Sequence, residues 1–246
     1  MSKRYKLVVE YDGAPFAGWQ RQEHGLGVQA VVEGALEIIT KSPIRIYAAG
    51  RTDAGVHATH QVIHFETDAE LKLESLPTSL NFFMRPHPVA IVSAEEVDSA
   101  FHARFSAIYR SYVYKILNRR NPSVLLANRA WHVMRELNVE TMHEAAQILV
   151  GKHDFSSFRS SRCQSASPVK TITSIDVVKS GEIIEIHITA PSFLHNQVRI
   201  ITGALKKVGD GSWDAERLAD VLVAKDRTKS APTAPACGLY LCWVGY

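Results

Sequence analysis

Apolar residues recur along this chain with two different periods, and the order in which the periods follow one another limits the folds available to it. Alternation at every second residue indicates a strand, and repeats at every third or fourth residue indicate a helix. The first part of the chain predicts strand, helix, strand, strand, helix and strand over residues 5–11, 28–39, 44–48, 61–65, 71–80 and 89–97. This is the order of a β-α-β-β-α-β unit with both helices on one face of the sheet.

The second part of the chain repeats this theme with longer insertions. Its predicted elements are a strand, a helix, a two-stranded hairpin, two helices and a closing strand, over residues 111–118, 139–149, 172–178 with 183–188, 198–208, 214–223 and 239–244. We therefore predict an α+β fold of two similar ferredoxin-like or RRM-like halves with mainly antiparallel sheets. The halves are expected at residues 1–105 and 106–246, with the active-site cleft between them.

The composition indicates a globular protein of the cytoplasm. Apolar residues make up 46% of the chain and charged residues 22%, and no apolar run approaches the roughly 20 residues that span a bilayer. The basic N-terminus leads straight into a strand, without the apolar core of a signal peptide. The three cysteines form no Cys-x-x-Cys pair, and His57 and His60 lack a nearby third ligand, so neither a disulfide framework nor a metal site is expected.

The distribution of charge is more informative than the net charge of +3. Residues 99–135 contain seven lysines and arginines and no acid, and residues 155–175 again contain no acid. Such segregation is typical of a face that binds phosphates, although folding could also spread these cations over ordinary surface.

The stretch from Ala49 to Ala58 predicts a short polar loop between two strands, with glycines at Gly50 and Gly55. It carries one carboxylate, Asp53. If the loop is extended, Arg51 lies on the same side and could hold Asp53 ionised. An Asp-Ala-Gly sequence is also a good turn, so from these residues alone Asp53 could be either catalytic or structural.

Two other segments present residues suited to an RNA site. Arg199 is expected in the first turn of a helix, where a cation gains nothing from the helix dipole, so a carboxylate or phosphate partner would account for it better than bare surface exposure. Tyr112 and Tyr114 are expected on the same face of a strand, and Arg110 and Lys115 flank them. They could stack on bases, or they could be core residues of the sheet.

These segments also resemble, in the same order, a known family. Gly50 to Ala58 is similar to the signature of the tRNA pseudouridine synthase A family, and the resemblance extends over essentially the full chain. The other matching motifs are Tyr-Asp-Gly at 11–13, Gly-Trp-Gln-Arg-Gln at 18–22, Gln-Val-Ile-His-Phe at 61–65, Phe-His-Ala-Arg-Phe-Ser at 101–106, Asp-Phe-Ser-Ser-Phe-Arg at 154–159, Ala-Lys-Asp-Arg-Thr at 224–228 and Gly-Leu-Tyr-Leu at 238–241. One departure is Gln197, where bacterial members often carry Met.

The resemblance implies isomerisation of uridine to pseudouridine at positions 38, 39 and 40 of the tRNA anticodon stem-loop, by a homodimer that uses no cofactor or metal. Asp53 matches the family's nucleophile, Tyr112 the tyrosine that packs on the target base, and Arg199 the arginine that pairs with the aspartate. Leu239 matches a leucine of the active-site floor. The target base must also be flipped out of the stem, which costs a few kcal/mol.

A bound tRNA needs cations for its phosphates. The candidate substrate-binding residues beyond those already named are Arg21, Arg51, Arg104, Arg110, Arg159, Lys170 and His195. A catalytically inert tRNA-binding or chaperone protein is the alternative function, and the joint presence of Asp53, Tyr112 and Arg199 speaks against it. A nucleotide hydrolase fits less well, because the sequence has no Gly-x-x-x-x-Gly-Lys loop.

Overall fold

The computed structural model of the protein describes residues 2–246. These residues form two compact units. Residues 2–108 and Tyr240–Tyr246 form the first unit, and Tyr109–Leu239 forms the second. The sequence-based halves, 1–105 and 106–246, assign the whole C-terminal strand to the second half. In the structure, most of that strand belongs to the first unit. The fold is α+β with mainly antiparallel pairing, as the sequence predicts.

The first unit follows the predicted order of strands and helices. Its elements are β1 (Lys3–Tyr11), α1 (Val28–Thr40), β2 (Tyr47–Ala48), β3 (His57–Thr67), α2 (Leu76–Phe83), β4 (Val89–Val97) and most of β11 (Leu239–Gly245). Strand β1 pairs antiparallel with β3 and with β4. On the other edge of β3, β2 pairs antiparallel and β11 pairs parallel.

The two faces of this sheet differ, because alternate residues of a strand point to opposite sides. In β1, Tyr5, Leu7 and Val9 are almost completely buried, and α1 and α2 bury apolar residues as well. Arg4 and Lys6 alternate with them and remain partly exposed. The sheet of the first unit therefore has a polar face, which carries Arg4 and Lys6, opposite the face that carries these buried residues.

Two predicted elements have different bounds in the structure. Helix α2 begins at Leu76 rather than at residue 71, with Pro77 in its first turn, and it continues to Phe83. Proline has no N–H to donate and a fixed φ, so a helix accommodates it in the first turn more easily than in its interior. Strand β2 is only two residues long, whereas residues 44–48 were predicted to be extended.

The second unit is built on a three-stranded antiparallel sheet in the order β5-β10-β9. Its elements are β5 (Tyr109–Asn118), β6 (Trp131–Val133), α3 (Val139–Ala146), β7 (Gly151–Asp154), β8 (Val169–Ile172), β9 (Ser174–Ser180), β10 (Ile183–Ala190), α4 (Gln197–Gly209) and α5 (Ala215–Ala224). Strand β6 pairs parallel with β5, and β7 and β8 form a separate antiparallel pair.

Local sequence explains where several of these elements begin and end. The Asn138 side chain accepts a hydrogen bond from the backbone N–H of Thr141 and caps α3, and Asp214 caps α5 in the same way. Helix α3 is shorter than predicted, because the backbone tightens into a 3-10 turn over Gln147–Leu149. Gly181, with φ of 58°, forms the turn between β9 and β10.

The two units share a motif. In the first, a strand, a helix and two further strands follow one another, and β1, β3 and β2 pair in that order. In the second, β5, α3, β9 and β10 follow in the same sequence, and β5, β10 and β9 pair in the corresponding order. The predicted similarity of the two halves is confirmed.

Candidate active site

The loop that carries Asp53 is held through its backbone. The Asp53 carbonyl accepts a hydrogen bond from the N–H of Val56 at 3.1 Å, which closes a turn with Gly55 at φ of 77°. This positive φ favours glycine at the third position of the turn. One residue earlier, the Thr52 carbonyl accepts from the N–H of Trp19, and the Thr52 hydroxyl bonds the Tyr11 hydroxyl at 2.8 Å. Asp53 itself is partly exposed on this fixed loop.

Two glycines let neighbouring backbone approach this loop closely. A Cβ on Gly13 would lie 1.9 Å from the Val56 carbonyl oxygen, and one on Gly18 would lie 2.8 Å from the Thr52 carbonyl oxygen. Distances below 3.0 Å do not occur between such atoms, so neither position tolerates a side chain without backbone movement. Tyr11, Gly13, Gly18 and Trp19 belong to motifs that sequence analysis matched without assigning a role. The structure shows that they brace the Asp53 loop.

The structure does not show the pairing of Arg51 with Asp53 that an extended loop would have allowed. Arg51 is exposed, and among residues 2–246 no ion pair joins its guanidinium to the Asp53 carboxylate. The prediction assumed extended backbone, in which residues two apart share a face, whereas residues 51–53 are irregular and belong to no strand. Gly50, at the start of the segment, is held instead by the buried Gln61, whose side-chain Nε2 donates to the Gly50 carbonyl at 2.8 Å.

The two tyrosines of β5 have different environments. Tyr112 is 9% exposed, and its ring packs edge-on against Phe193 with the centroids 5.2 Å apart. Tyr114 is completely buried, and its hydroxyl donates to the Pro235 carbonyl at 2.7 Å. Burial raises the pKa of Tyr114 far above its ordinary value. Tyr114 is therefore a core residue, and Tyr112 is the one of the pair that retains some exposure.

Arg199 lies in the first turn of α4, as predicted, and its guanidinium is oriented by hydrogen bonds. Nε donates to the Ala234 carbonyl at 2.8 Å, and Nη1 donates to the Asn196 side chain at 3.0 Å. Asn196 has a left-handed backbone with φ of 63°, which turns the chain into the helix. The backbone carbonyl of Arg199 also accepts from the N–H of Ala234. Three bonds thus fix this arginine against its own turn and the segment at Ala234.

Leu239 is buried at the start of β11. Gly238, just before it, lies so close to the Tyr114 ring that a Cβ there would be 2.6 Å from a ring carbon. The segment that leads into β11 is thereby packed on Tyr114 as well as on Arg199.

The predicted phosphate-binding residues fall into two groups. Arg21, Arg51 and Arg104 are exposed, and Lys170 is partly exposed on β8. Arg110 is buried and donates to the Pro191 carbonyl at 2.7 Å, and Arg159 donates to the carbonyls of Cys163 and Ser165. The guanidinium groups of the second pair thus support neighbouring loops.

His195 and Arg159 meet around Cys163, which sequence analysis did not single out. The N–H of His195 donates to the Cys163 sulfur at 3.3 Å, and the His195 carbonyl accepts from Ser160. Burial raises the pKa of the Cys163 thiol, but hydrogen bonds from His195, Ser165 and Arg159 outweigh it and leave that pKa below its usual range. No local pattern in the sequence would have revealed this contact, because the residues are 32 positions apart.

Two features are absent from the described residues. Across residues 2–246, no group of three or more His, Cys, Asp or Glu side chains is arranged to hold a metal ion. None of the helices described combines the length and the apolar character that crossing a membrane requires.

Comparison with known proteins identifies the class to which this fold and these residues belong. The sequence profile of the tRNA pseudouridine synthases matches residues 7–106 and 145–246. The chain is 53% identical over 243 residues to tRNA pseudouridine synthase A of Paramagnetospirillum magneticum, covering 99% of this chain and 95% of that protein. The identity to the corresponding protein of Beijerinckia indica is 54%, with 99% and 94% covered, and to that of Rhodospirillum centenum it is 50%, with 99% and 100% covered. The chain belongs to the tRNA pseudouridine synthase family.

Proposed function

We propose that this protein is a tRNA pseudouridine synthase that isomerises uridine at positions 38, 39 and 40 of the anticodon stem-loop, with Asp53 as the nucleophile. Membership of the family supports the reaction and the tRNA substrate. The observation that carries the choice of nucleophile is the Asp53 loop, which is braced from several sides and leaves its carboxylate partly exposed.

The reaction is balanced without a redox cofactor, because substrate and product are isomers. The N1–C1′ bond breaks, the base turns, and a C5–C1′ bond forms, while C5 loses a proton and N1 gains one. A carboxylate can form a covalent adduct in such a reaction and so divide one difficult step into easier ones. Asp53 supplies that carboxylate, and it has to remain ionised to react.

Arg199 and Tyr112 have roles that follow from their chemistry. The guanidinium of Arg199 is always charged, and placed beside a carboxylate it would favour the ionised form. The ring of Tyr112 would stack on the flipped uracil and offset part of the cost of flipping. Leu239 would supply apolar surface under the base. We assign these three residues to the same uridine as Asp53.

The exposed cations Arg21, Arg51 and Arg104 and the partly exposed Lys170 are proposed to contact tRNA phosphates, and His195 to lie near the substrate. Arg110 and Arg159 are assigned a supporting role, because their guanidinium groups already donate to backbone carbonyls. We further propose that the enzyme works as a homodimer in the cytoplasm, where its tRNA substrates occur.

The decisive experiment maps pseudouridine by mass spectrometry in unmodified tRNA after incubation with wild-type protein, Asp53→Asn and Glu74→Gln. Glu74 is an exposed carboxylate that controls for the loss of one negative charge. We expect product at positions 38–40 with wild type and Glu74→Gln, and at least about a 1,000-fold lower rate with Asp53→Asn while tRNA binding is retained. Product from Asp53→Asn at the normal rate would refute the assignment of the nucleophile. Tight binding without product from wild type would instead favour the inert tRNA-binding protein.

A further inference from the structure

The polar face of the sheet in the first unit contains a pocket that the proposed chemistry does not use. It has a volume of about 440 Å³ and is lined by Arg4, Arg45, Tyr47, His64, Glu66 and His102. Strands β1 and β3 bring Arg4 opposite Glu66, and β2 brings Tyr47 opposite His64. His64 and His102 come from two motifs of the sequence, at residues 61–65 and 101–106, and neither histidine has been given a role above.

The pocket is rich in flat ring surfaces. The rings of Tyr47 and His64 are stacked with their centroids 5.1 Å apart, and His102 meets His64 edge-on at 4.5 Å. His64 is held in place because its Nδ1 accepts a hydrogen bond from the N–H of Ala103. Burial lowers the pKa of His64 to about 4, so its ring is neutral at physiological pH. Tyr47 is 43% exposed, which leaves part of its ring available to a ligand.

The charges that line the pocket favour an anionic ligand. The Arg4 guanidinium pairs with Glu66 and also donates to the Phe101 carbonyl at 2.6 Å, so the carboxylate in the lining is already neutralised. Arg45 lies over the Tyr47 ring at 5.6 Å, and among residues 2–246 it forms no ion pair with a carboxylate. One cation next to exposed ring surface is therefore left for a ligand.

The pocket is far from Asp53 within the same unit. The Asp53 loop ends where β3 begins at His57, and His64 lies seven residues further along this strand. At about 3.3 Å per residue, the two positions are separated by roughly 23 Å. A ligand that reaches both must be a macromolecule.

We propose that this pocket binds an unpaired nucleotide of the same tRNA, at a point remote from the target uridine. The base packs against His102 and the exposed part of Tyr47, beside the His64 ring and Arg45 that already contact Tyr47, and the phosphate pairs with Arg45. This inference rests on the proposed function in taking tRNA as the ligand. It adds a second point of attachment, which would align the anticodon stem-loop with Asp53.

The test compares two RNAs and two pairs of variants. Affinity is measured by fluorescence anisotropy for full-length unmodified tRNA and for the isolated anticodon stem-loop, with Tyr47→Ala, Tyr47→Phe, Arg45→Ala and Arg45→Lys. We expect Tyr47→Ala to raise the Kd for full-length tRNA by about 10-fold, with little change for the stem-loop and little effect of Tyr47→Phe. Arg45→Ala should weaken binding of full-length tRNA and reduce its salt slope by about one, and Arg45→Lys should restore the slope.

The outcomes separate this inference from the proposed function. An unchanged Kd in both alanine variants, or an equal loss for both RNAs, would overturn the nucleotide pocket. Thermal melting checks the fold of each variant. If Tyr47→Ala is unstable, the test rests on the Kd of Arg45→Ala, because Arg45 is exposed. Pseudouridine formation by wild type is measured in parallel, so a wild type that turns over normally while the variants bind normally contradicts only the pocket.

Discussion

Asp53 and Arg199 are both presented at the junction of a loop and a regular element, but the two are held in different ways. The Asp53 loop is braced by its backbone, through the Thr52 carbonyl, the turn to Val56 and the close approach of Gly13. The Arg199 side chain, by contrast, helps to position neighbouring backbone, because its guanidinium donates to the Asn196 side chain and to the Ala234 carbonyl.

This difference determines what a substitution can teach. Exchanging the Asp53 carboxylate for an amide leaves the backbone braces in place, so a loss of turnover reports on chemistry. Exchanging the Arg199 guanidinium removes hydrogen bonds that position the segment leading into β11, so structure and chemistry change together. Hydrogen bonds from a charged group contribute about 1.5–3 kcal/mol each.

The largest effect is expected from breaking the backbone brace with Gly13→Ala. The new Cβ would lie 1.9 Å from the Val56 carbonyl oxygen, so the Asp53 loop has to move. We expect a loss of about 3 kcal/mol or more in the free energy of unfolding, measured with urea, and loss of turnover. Gly34→Ala is the matched control, because Gly34 is an exposed residue of α1 with no atom within 4 Å of its added Cβ. It should gain up to about 1 kcal/mol. If Gly13→Ala is as stable and active as wild type, the loop is not braced as described.

A smaller effect on stability is expected from Arg199→Lys, which keeps the charge but not the forked donors. An ammonium cannot reproduce the simultaneous bonds to Ala234 and Asn196. We expect the free energy of unfolding to fall by about 2 kcal/mol and kcat to fall by at least about 100-fold. Arg217→Lys on α5 is the control, since Arg217 is exposed and lies over the Trp213 ring. Full activity of Arg199→Lys would mean that charge alone suffices at this position.

The sequence was sufficient for the elements that carry a clear apolar period. The predicted strand at residues 89–97 coincides with β4, and the predicted helix at 28–39 is one residue shorter than α1. Strands β7 and β8 were not predicted, because they are four residues long, and β7, with the sequence Gly-Lys-His-Asp, also lacks large apolar residues. A strand this short has too few residues to establish a period.

For the candidate site, the sequence predicted those features that depend on neighbouring residues and missed those that depend on contacts between distant segments. The loop around Asp53 and the position of Arg199 in the first turn of α4 were both predicted. The pairing of Arg51 with Asp53 was not found, because a rule for strands was applied to residues 51–53, which belong to no strand. The contact between Gly13 and Val56 joins residues 43 positions apart, and no feature of either segment alone specifies it.

A more modest effect is expected when the segment at Ala234 and Pro235 loses its hydrogen bond to Tyr114 and keeps those to Arg199. Tyr114→Phe removes the hydroxyl that donates to the Pro235 carbonyl, one residue after Ala234. The free energy of unfolding should fall by about 1 kcal/mol, and kcat should fall by less than about 10-fold, because Arg199 keeps its own bonds. Tyr109→Phe on the same strand, with an exposed side chain, should change neither quantity. A loss of activity as large as that of Arg199→Lys would show that Tyr114 positions this segment more than Arg199 does.

The smallest effect is expected from Gln197→Met, which introduces the residue that the family resemblance suggests for this position. Gln197 is 1% exposed; its Oε1 accepts from the N–H of Leu194 at 2.8 Å, while its Nε2 is buried without a partner among the described residues. Methionine removes the unpaired donor but also leaves the Leu194 N–H without its acceptor. Because the two changes each amount to about 1–3 kcal/mol and have opposite signs, the free energy of unfolding should shift by less than about 1 kcal/mol. Turnover should stay within about twofold of wild type, since Gln197 forms none of the hydrogen bonds described above that orient Arg199. A loss of stability above about 2 kcal/mol, measured in urea, would mean that the turn before α4 depends on the Gln197 amide, and that Arg199 is held by more than its own guanidinium.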